Sequence, residues 1–257
     1  MDPLFPILKK VARTFYLTIR LLPRQLQEPV ALAYLLARAS DTIADKATAT
    51  FRVSDCDLLK LLPSLLEKLK DPFRDPIEAE AIRVVWQTIL EGQQWDLKFF
   101  LPCHSTMILS SEELSRYLYL VAGCVGEFWT TLAAHHFPHF SKEPRERMMK
   151  WGMDYGKGLQ LTNILRDRYK DRENGRFYCS EDQFSQLYEQ ALFYLKQGGH
   201  YIEALRPGRF KMASALPLML AVKTLSLVDR NRNATQVKVG RGSLYLTLLQ
   251  SSIFLLR

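Results

Sequence analysis

Two pairs of aspartates have the spacing of one helical turn. Asp41 and Asp45 lie in the segment AYLLARASDTIADK, and Asp167 and Asp171 lie in GLQLTNILRDRYKDRENGR. Residues four apart share a face of an α-helix, where two like charges destabilise the helix by about 0.2–0.5 kcal/mol. An isolated Asp-x-x-x-Asp pattern is usually a solvated surface pair, and the arginines beside the second pair would also fit an ordinary ion-pair network. Two such pairs in otherwise apolar segments nevertheless favour a shared chemical purpose.

Polar side chains extend the face of each pair. The residues that precede the pairs at helical steps are Tyr34, Arg38, Gln160 and Asn163. Two facing acidic pairs would form the oxygen-rich site that Mg²⁺ prefers, with water or substrate phosphate completing the coordination. Planar guanidinium groups bind phosphate oxygens through two hydrogen bonds, which gives the neighbouring arginines a role. The residue types therefore favour a site for a metal–diphosphate complex.

The elements that must position these residues are helices. Helical periodicity dominates the chain, and no convincing run of alternating strand residues occurs. The predicted helices cover 3–20, 29–46, 54–70, 76–100, 111–136, 144–172, 182–205 and 211–229, with a last helix from 242. Pro29 is predicted to lie in a first helical turn, and Ser110 with Glu113 is predicted to form a capping box. No break is long enough to be a domain linker, so the sequence predicts one all-α domain over 1–257.

The composition is that of a globular protein with a basic surface. Of the 257 residues, 47% are hydrophobic and 24% are charged, and the formal net charge is +8. A positive charge favours anionic partners, but it does not by itself rank nucleic acid, acidic lipid and phosphorylated metabolites. The sequence contains no helix-turn-helix, zinc-finger or RNA-binding signature, so it predicts no nucleic-acid partner.

The sequence predicts a cytoplasmic protein. The four cysteines are scattered and lack metal-binding spacing, which indicates free thiols in a reducing compartment. The start, MDPLFPILKK, lacks the basic residues and long apolar run of a signal peptide. The apolar run SLYLTLLQSSIFLL is shorter than the roughly 20 residues of a spanning helix. It is predicted to pack on the core, with peripheral contact with a membrane surface as the alternative.

These residues give the sequence a resemblance to the squalene and phytoene synthase family, the head-to-head branch of the trans-prenyl synthases. Four blocks carry the resemblance in the family's order: ARTF, YLLARASDTIAD, YLYLVAGCVGEF and LQLTNILRDRYKDRENGRFY. They extend from residue 12 to about Tyr178. The resemblance implies an all-α bundle of the isoprenoid-synthase type, built around a deep and largely apolar central cavity.

The resemblance also implies a role for individual residues. The positions that match the family's two metal-binding motifs, which hold Mg²⁺ bridged to the substrates' diphosphates, are Asp41, Asp45, Asn163, Asp167 and Asp171. The positions that match substrate-binding residues are Arg13, Thr14, Phe15, Tyr34, Arg38, Gln160 and Arg176. Tyr117 matches the tyrosine assigned to the cationic and proton-transfer steps, and Ala12 stands where the family has a serine.

The implied reaction is the head-to-head condensation of two prenyl diphosphates through a cyclopropyl diphosphate. The first motif, Asp-Thr-Ile-Ala-Asp, is similar to the squalene synthase form and favours farnesyl diphosphate as substrate and squalene as product. Squalene formation would require NADPH, for which the basic segment with Lys238 and Arg241 could border a site or be a solvated connection. The alternatives are a phytoene or dehydrosqualene synthase, a hydroxysqualene-type enzyme of hopanoid synthesis, and a non-catalytic member that binds prenyl diphosphates.

Overall fold

Helices make up nearly all of the chain that the structure, a computed structural model, describes, namely residues 4–45, 53–100 and 108–232. The helices are α1 (Leu4–Val11), α2 (Arg13–Leu21), α3 (Arg24–Asp45), α4 (Val53–Lys70), α5 (Pro76–Phe99), α6 (Ser111–Leu118), α7 (Cys124–His136), α8 (Arg145–Glu173), α9 (Phe184–Ala204) and α10 (Arg209–Arg230). A π-helical turn, Tyr119–Gly123, joins α6 to α7. No strand occurs within those ranges, which confirms the all-α prediction.

The first two predicted helices differ from those in the structure. The predicted helix 3–20 is two helices, because the chain breaks at Ala12. Helix α3 begins at Arg24, so Pro29 lies inside the helix and the prediction of a first-turn position was wrong. Proline lacks an N–H, so this position of the helix goes without one backbone hydrogen bond. The predicted helix from 242 lies outside the described residues.

The predicted capping box at the start of α6 is confirmed. The Ser110 hydroxyl accepts a hydrogen bond from the Glu113 backbone N–H at 3.2 Å, and the Ser110 backbone N–H donates to the Glu113 carboxylate at 2.8 Å. Of the four cysteines, Cys56, Cys124 and Cys179 carry free thiols, as predicted, and Cys103 lies outside the described residues. The cap fixes where α6 begins, and α6 carries Tyr117.

Two apolar clusters form the core, and α8 contributes to both. The first cluster includes Leu8, Leu32 and Leu36, and the second includes Leu118 and Leu225. The residues that α8 buries are Met148 and Tyr155 in the first cluster and Leu161, Ile164 and Leu165 in the second. The segment of α8 that carries Asn163, Asp167 and Asp171 is therefore anchored on a buried face.

Glycines allow α7 and α8 to approach each other backbone to backbone. A Cβ atom built on Gly126 would lie 1.8 Å from the carbonyl oxygen of Gly152. A Cβ atom built on Gly156 would lie 2.2 Å from the carbonyl oxygen of Ala122, in the π-helical turn. No side chain fits at either distance, so glycine is required at both crossings.

Helix α10 has the length and apolar composition to cross a membrane, and it is the one helix of the described ranges that has both. It packs against α2, α8 and α9. Its residues Ala213, Leu216, Leu225 and Val228 are fully or almost fully buried within the protein. A core helix of this kind has the same length and composition as a membrane-spanning one.

Candidate active site

The first aspartate pair lies at the end of α3. The Arg38 guanidinium forms an ion pair with the Asp41 carboxylate one turn along the helix. The Tyr34 hydroxyl donates a hydrogen bond to the carbonyl oxygen of Val11 at 3.3 Å, and the Phe15 and Tyr34 ring centroids are 5.2 Å apart. These contacts hold the break between α1 and α2 against α3.

The side chains of three predicted site residues lie outside the described part of the structure. They are Arg13, Thr14 and Asp45, whose backbones belong to α2 and α3. Arg13 begins the helix that packs beside Tyr34, and Asp45 ends the helix that carries Asp41.

The second aspartate pair lies near the end of α8. The Arg166 guanidinium donates to both carboxylate oxygens of Asp167, at 2.9 and 2.5 Å. Burial and the negative charge of Asp167 raise the pKa of Asp171 to about 6. One turn earlier, the Asn163 amide donates to the Gln160 side-chain oxygen at 3.5 Å. Concentrated negative charge in a partly desolvated place is stabilised by a cation.

The sequence Asn-Gly-Arg after α8 forms a Schellman motif, which ends the helix. The Arg176 N–H donates to the Asp171 carbonyl oxygen at 2.8 Å, and the Gly175 N–H donates to the Arg172 carbonyl oxygen at 3.0 Å. Gly175 has a φ of 76°, the left-handed conformation that glycine adopts at low cost. The motif turns the chain so that Arg176 lies near Asp171, and the positive charge of Arg176 lowers the pKa of that carboxyl.

We expect the Gly175→Ala variant to lower the free energy of unfolding by about 1–2 kcal/mol, because alanine is strained in the left-handed region. A Cβ atom there meets nothing within 4 Å, so the effect isolates backbone strain. Gly199, within α9, is a matched control, since its Cβ atom also meets nothing within 4 Å and Gly199→Ala should be neutral or stabilising. Urea unfolding of both variants provides the measurement, and equal stability of the two would contradict the motif's role.

Asp96 of α5 lies between Tyr117 and Tyr178 and was not predicted from the sequence. Its carboxylate accepts hydrogen bonds from the Tyr117 hydroxyl at 3.3 Å and from the Tyr178 hydroxyl at 3.2 Å. The two hydroxyl oxygens are 3.2 Å apart, and the two rings stack with centroids 5.2 Å apart. The one sequence signal for Asp96 was its position, because Asp96 lies on the same face of α5 as the buried residues Gly92 and Phe99.

Two charged groups from distant parts of the chain, Arg176 and Asp41, act on Asp96. Burial raises the pKa of Asp96 to about 6, the positive charge of Arg176 lowers it, and the negative charge of Asp41 raises it. Arg176 is therefore within electrostatic reach of both Asp96 and Asp171. Helix α5 is also tied to α3 nearby, since the Gln93 side-chain amide donates to the Ala37 carbonyl oxygen at 3.1 Å. The ends of α3, α5 and α8 thus face one space, together with Tyr117 of α6.

The carboxylates suit a cation that is shared with a substrate. Within the described ranges, no three Asp, Glu, His or Cys side chains lie close enough together to hold a metal ion alone. Asp41 and the pair Asp167 and Asp171 instead offer separate sets of oxygen ligands. Mg²⁺ usually binds through one or two protein carboxylates, with water and substrate phosphate supplying the rest. The arrangement fits that mode and differs from a closed cage made by protein alone.

An apolar cavity of about 300 Å³ lies between α3, α4 and α5. Its lining residues are Ser40, Ile43, Leu62, Trp86, Leu90, Gln93, Gln94 and Leu97. Ser40 and Ile43 come from the same helical turn as Asp41, and Leu97 follows Asp96. A hydrocarbon surface therefore begins within one turn of the charged groups.

Comparison with known proteins gives matches to one family. The model of the Squalene/phytoene synthase family matches residues 8–187. The bifunctional lycopene cyclase/phytoene synthase of Arthroderma gypseum is 29% identical over 205 residues, which are 69% of this chain and 34% of that protein. The chloroplastic phytoene synthase 1 of Zea mays is 28% identical over 192 residues, 70% of this chain and 44% of that protein. The chain thus spans less than half the length of these curated relatives.

Solved structures share the fold. TcSQS in complex with the ligand BPH1237 has a TM-score of 0.76 at 22% identity, with 97% of this chain and 85% of that chain covered. A dehydrosqualene synthase in complex with a ligand has a TM-score of 0.70 at 20% identity, with 98% and 95% covered. The squalene synthase HpnC from Alicyclobacillus acidocaldarius has a TM-score of 0.64 at 15% identity, with 89% and 92% covered. The expected isoprenoid-synthase-type helical fold is confirmed.

Proposed function

Because this chain belongs to the squalene/phytoene synthase family, we propose that it is a prenyltransferase that joins two prenyl diphosphates head to head and releases diphosphate. The observation that carries the proposal is the convergence of Asp41, Asp96, Asp171 and Arg176 on one space. Tyr117, the residue of the predicted proton-transfer role, contacts the same space through Asp96. A surface ion-pair network would not need a buried tyrosine pair at its centre.

The first step that the site supports is ionisation of an allylic diphosphate. We assign Arg38 and Arg176 to offset charge on the leaving group, an electrostatic form of catalysis. The ion pair of Arg38 with Asp41 and the effect of Arg176 on the pKa of Asp96 support this assignment. The residues that we propose to bind substrate around them are Arg13, Thr14, Phe15, Tyr34 and Gln160. Bound Mg²⁺ would neutralise further diphosphate charge, and the residues that would hold it are Asp41, Asp45, Asn163, Asp167 and Asp171.

The second requirement is protection of the carbocation from water. The apolar cavity beside Asp41 supplies hydrocarbon surface, and burial of Tyr117 and Tyr178 excludes solvent from their hydroxyls. Aromatic faces stabilise cations by about 0.5–2 kcal/mol, so the stacked pair also suits a charged intermediate. We assign Tyr117 to the proton-transfer step, because its hydroxyl lies beside a carboxylate that can take a proton.

Two classes of product, one reduced and one formed without reduction, are consistent with this site. The Asp-Thr-Ile-Ala-Asp motif favours squalene from farnesyl diphosphate, which would require NADPH. The curated relatives named as phytoene synthases favour phytoene or a related product that is formed without reduction. Such apolar products also support our proposal of a cytoplasmic protein that contacts a membrane surface peripherally.

Product analysis tests the function. The purified protein is incubated with farnesyl or geranylgeranyl diphosphate and Mg²⁺, with and without NADPH, and the products are identified by mass spectrometry. We expect a head-to-head product and no turnover after Mg²⁺ is removed with EDTA. Squalene that appears only with NADPH would support the first product, and phytoene or dehydrosqualene would support the second. Absence of any condensation product under all conditions would contradict the proposal.

A further inference from the structure

The hydrogen bonds around Asp96 define a direction for protons. An ionised carboxylate only accepts hydrogen bonds, and each tyrosine hydroxyl has a single proton to donate. Tyr117 donates to one oxygen of Asp96 at 3.3 Å, and Tyr178 donates to the other at 3.2 Å. When Tyr117 donates its proton in this way, the lone pairs of its oxygen remain available to a substrate. The arrangement therefore presents Tyr117 as a proton acceptor.

We propose that Asp96 is a positioning residue that orients the Tyr117 hydroxyl and takes its proton when Tyr117 receives one from the substrate. The inference rests on the proposed function and adds the destination of the proton. In the step that closes the cyclopropane ring, a C–H bond of the cationic intermediate breaks and its electron pair forms a ring bond. The proton bonds to the Tyr117 oxygen while the original Tyr117 proton moves to Asp96. The substrate loses one proton, Asp96 gains one, and Tyr117 is unchanged.

Asp96 suits this role better than either tyrosine does. Burial raises the pKa of both Tyr117 and Tyr178, so neither hydroxyl holds a negative charge near neutral pH. The groups that face Asp96 are these two hydroxyls, the Arg176 guanidinium and the Asp41 carboxylate. Burial raises the pKa of Asp96, Arg176 and the two hydroxyls lower it, and Asp41 raises it. The result is a pKa of about 6, which is close to the range in which a group both accepts and releases protons efficiently.

Tyr178 helps to position both Tyr117 and Asp96. Its ring stacks on Tyr117, and the ring of Phe100 packs edge-on against it with centroids 4.9 Å apart. Its hydroxyl lies within hydrogen-bond distance of both oxygens of Asp96, at 3.2 and 3.4 Å. This second hydrogen bond holds the Asp96 carboxylate in the orientation in which it accepts a hydrogen bond from Tyr117. It is not on the path of the proton, so its loss should cost less than loss of Asp96.

The test compares Asp96→Asn, Asp96→Glu and Tyr178→Phe with the wild type at saturating Mg²⁺. We expect Asp96→Asn to lower kcat by about 100-fold or more, as loss of a general base does, with KM changed less than about threefold. Asp96→Glu should recover part of kcat, and Tyr178→Phe should lose less than about tenfold. Wild-type kcat should fall as the pH drops through about 6, because protonated Asp96 accepts no proton, and the Asn variant should lack this component.

Asp154→Asn is the matched control. Burial also raises the pKa of Asp154, but its charged neighbours are Lys150 and Lys157, outside the site, so kcat should not change. Circular dichroism and thermal unfolding report whether each variant folds. If Asp96→Asn does not fold, the kcat of Asp96→Glu provides the test. An Asp96→Asn enzyme with wild-type kcat and pH profile, or one impaired only in KM, would overturn the role of Asp96. Failure of the wild type to form any product would instead overturn the proposed function.

Discussion

The Asp167→Asn variant should lose turnover by about a thousandfold or more, which corresponds to about 4 kcal/mol of transition-state stabilisation. Asp167 lies one turn before Asp171, and its negative charge contributes to the raised pKa of that carboxyl. An amide at 167 removes one charge from the site proposed for Mg²⁺. Asp41→Asn should cause a similar loss, because Asp41 supplies the charge on the opposite helix. Steady-state assays of product formation provide the measurement.

The control for these variants is Asp182→Asn, which changes an exposed aspartate outside the site. Its turnover should match that of the wild type. The helical content of both site variants should stay close to that of the wild type, because the side chains of Asp41 and Asp167 are 44% and 39% exposed. Normal turnover in either site variant would show that the metal assignment is wrong.

The Gly126→Ala variant should be destabilised by about 3 kcal/mol or more, at or beyond the upper end for overpacked sites. The added Cβ atom would lie 1.8 Å from the carbonyl oxygen of Gly152, and a backbone atom cannot rotate away as a side chain can. Relief requires α7 and α8 to separate. Urea unfolding gives the free energy, and kcat should fall as well, because α8 carries the second aspartate pair.

Gly199→Ala again serves as the control, since its Cβ atom meets nothing within 4 Å. If the Gly126→Ala variant were within about 0.5 kcal/mol of the wild type, the range of an ordinary surface substitution, the two helices would not be in backbone contact. A milder loss is expected for Gly123→Ala, where the nearest atoms are side chains at 3.2 Å or more. The difference between the two glycines separates backbone contact from side-chain crowding.

The acidic pairs could be predicted from the sequence because their information is local. Asp41 and Asp167 are each followed by a second aspartate four residues later. Helical periodicity alone therefore determines which residues share a face with them. Arg176 was implied by the family resemblance alone, and the Asn-Gly pair before it is the local signal for the turn that ends α8. These features need no knowledge of how the helices pack.

Asp96 and Tyr178 could not be predicted in this way, because their roles exist only after packing. They are 82 residues apart, and neither belongs to a repeated pattern in the sequence. The break at Ala12 was also missed, since neither proline nor glycine marks it. A carboxylate on the buried stripe of α5 was the one clue, and it becomes informative only when the partner hydroxyls are known.

The π-helical turn between α6 and α7 allows one continuous helix to contact both α5 and α8. Tyr117 and Gly126 are nine residues apart, which in an uninterrupted α-helix would place them on opposite faces, about 180° apart. A π-helical turn accommodates one extra residue and so removes about 100° of that rotation. The two residues then project within roughly a right angle of each other. Because of this change in rotation, the Tyr117 hydroxyl contacts Asp96 while Gly126 packs against α8. The length of the π-helical turn therefore determines the direction in which Tyr117 projects.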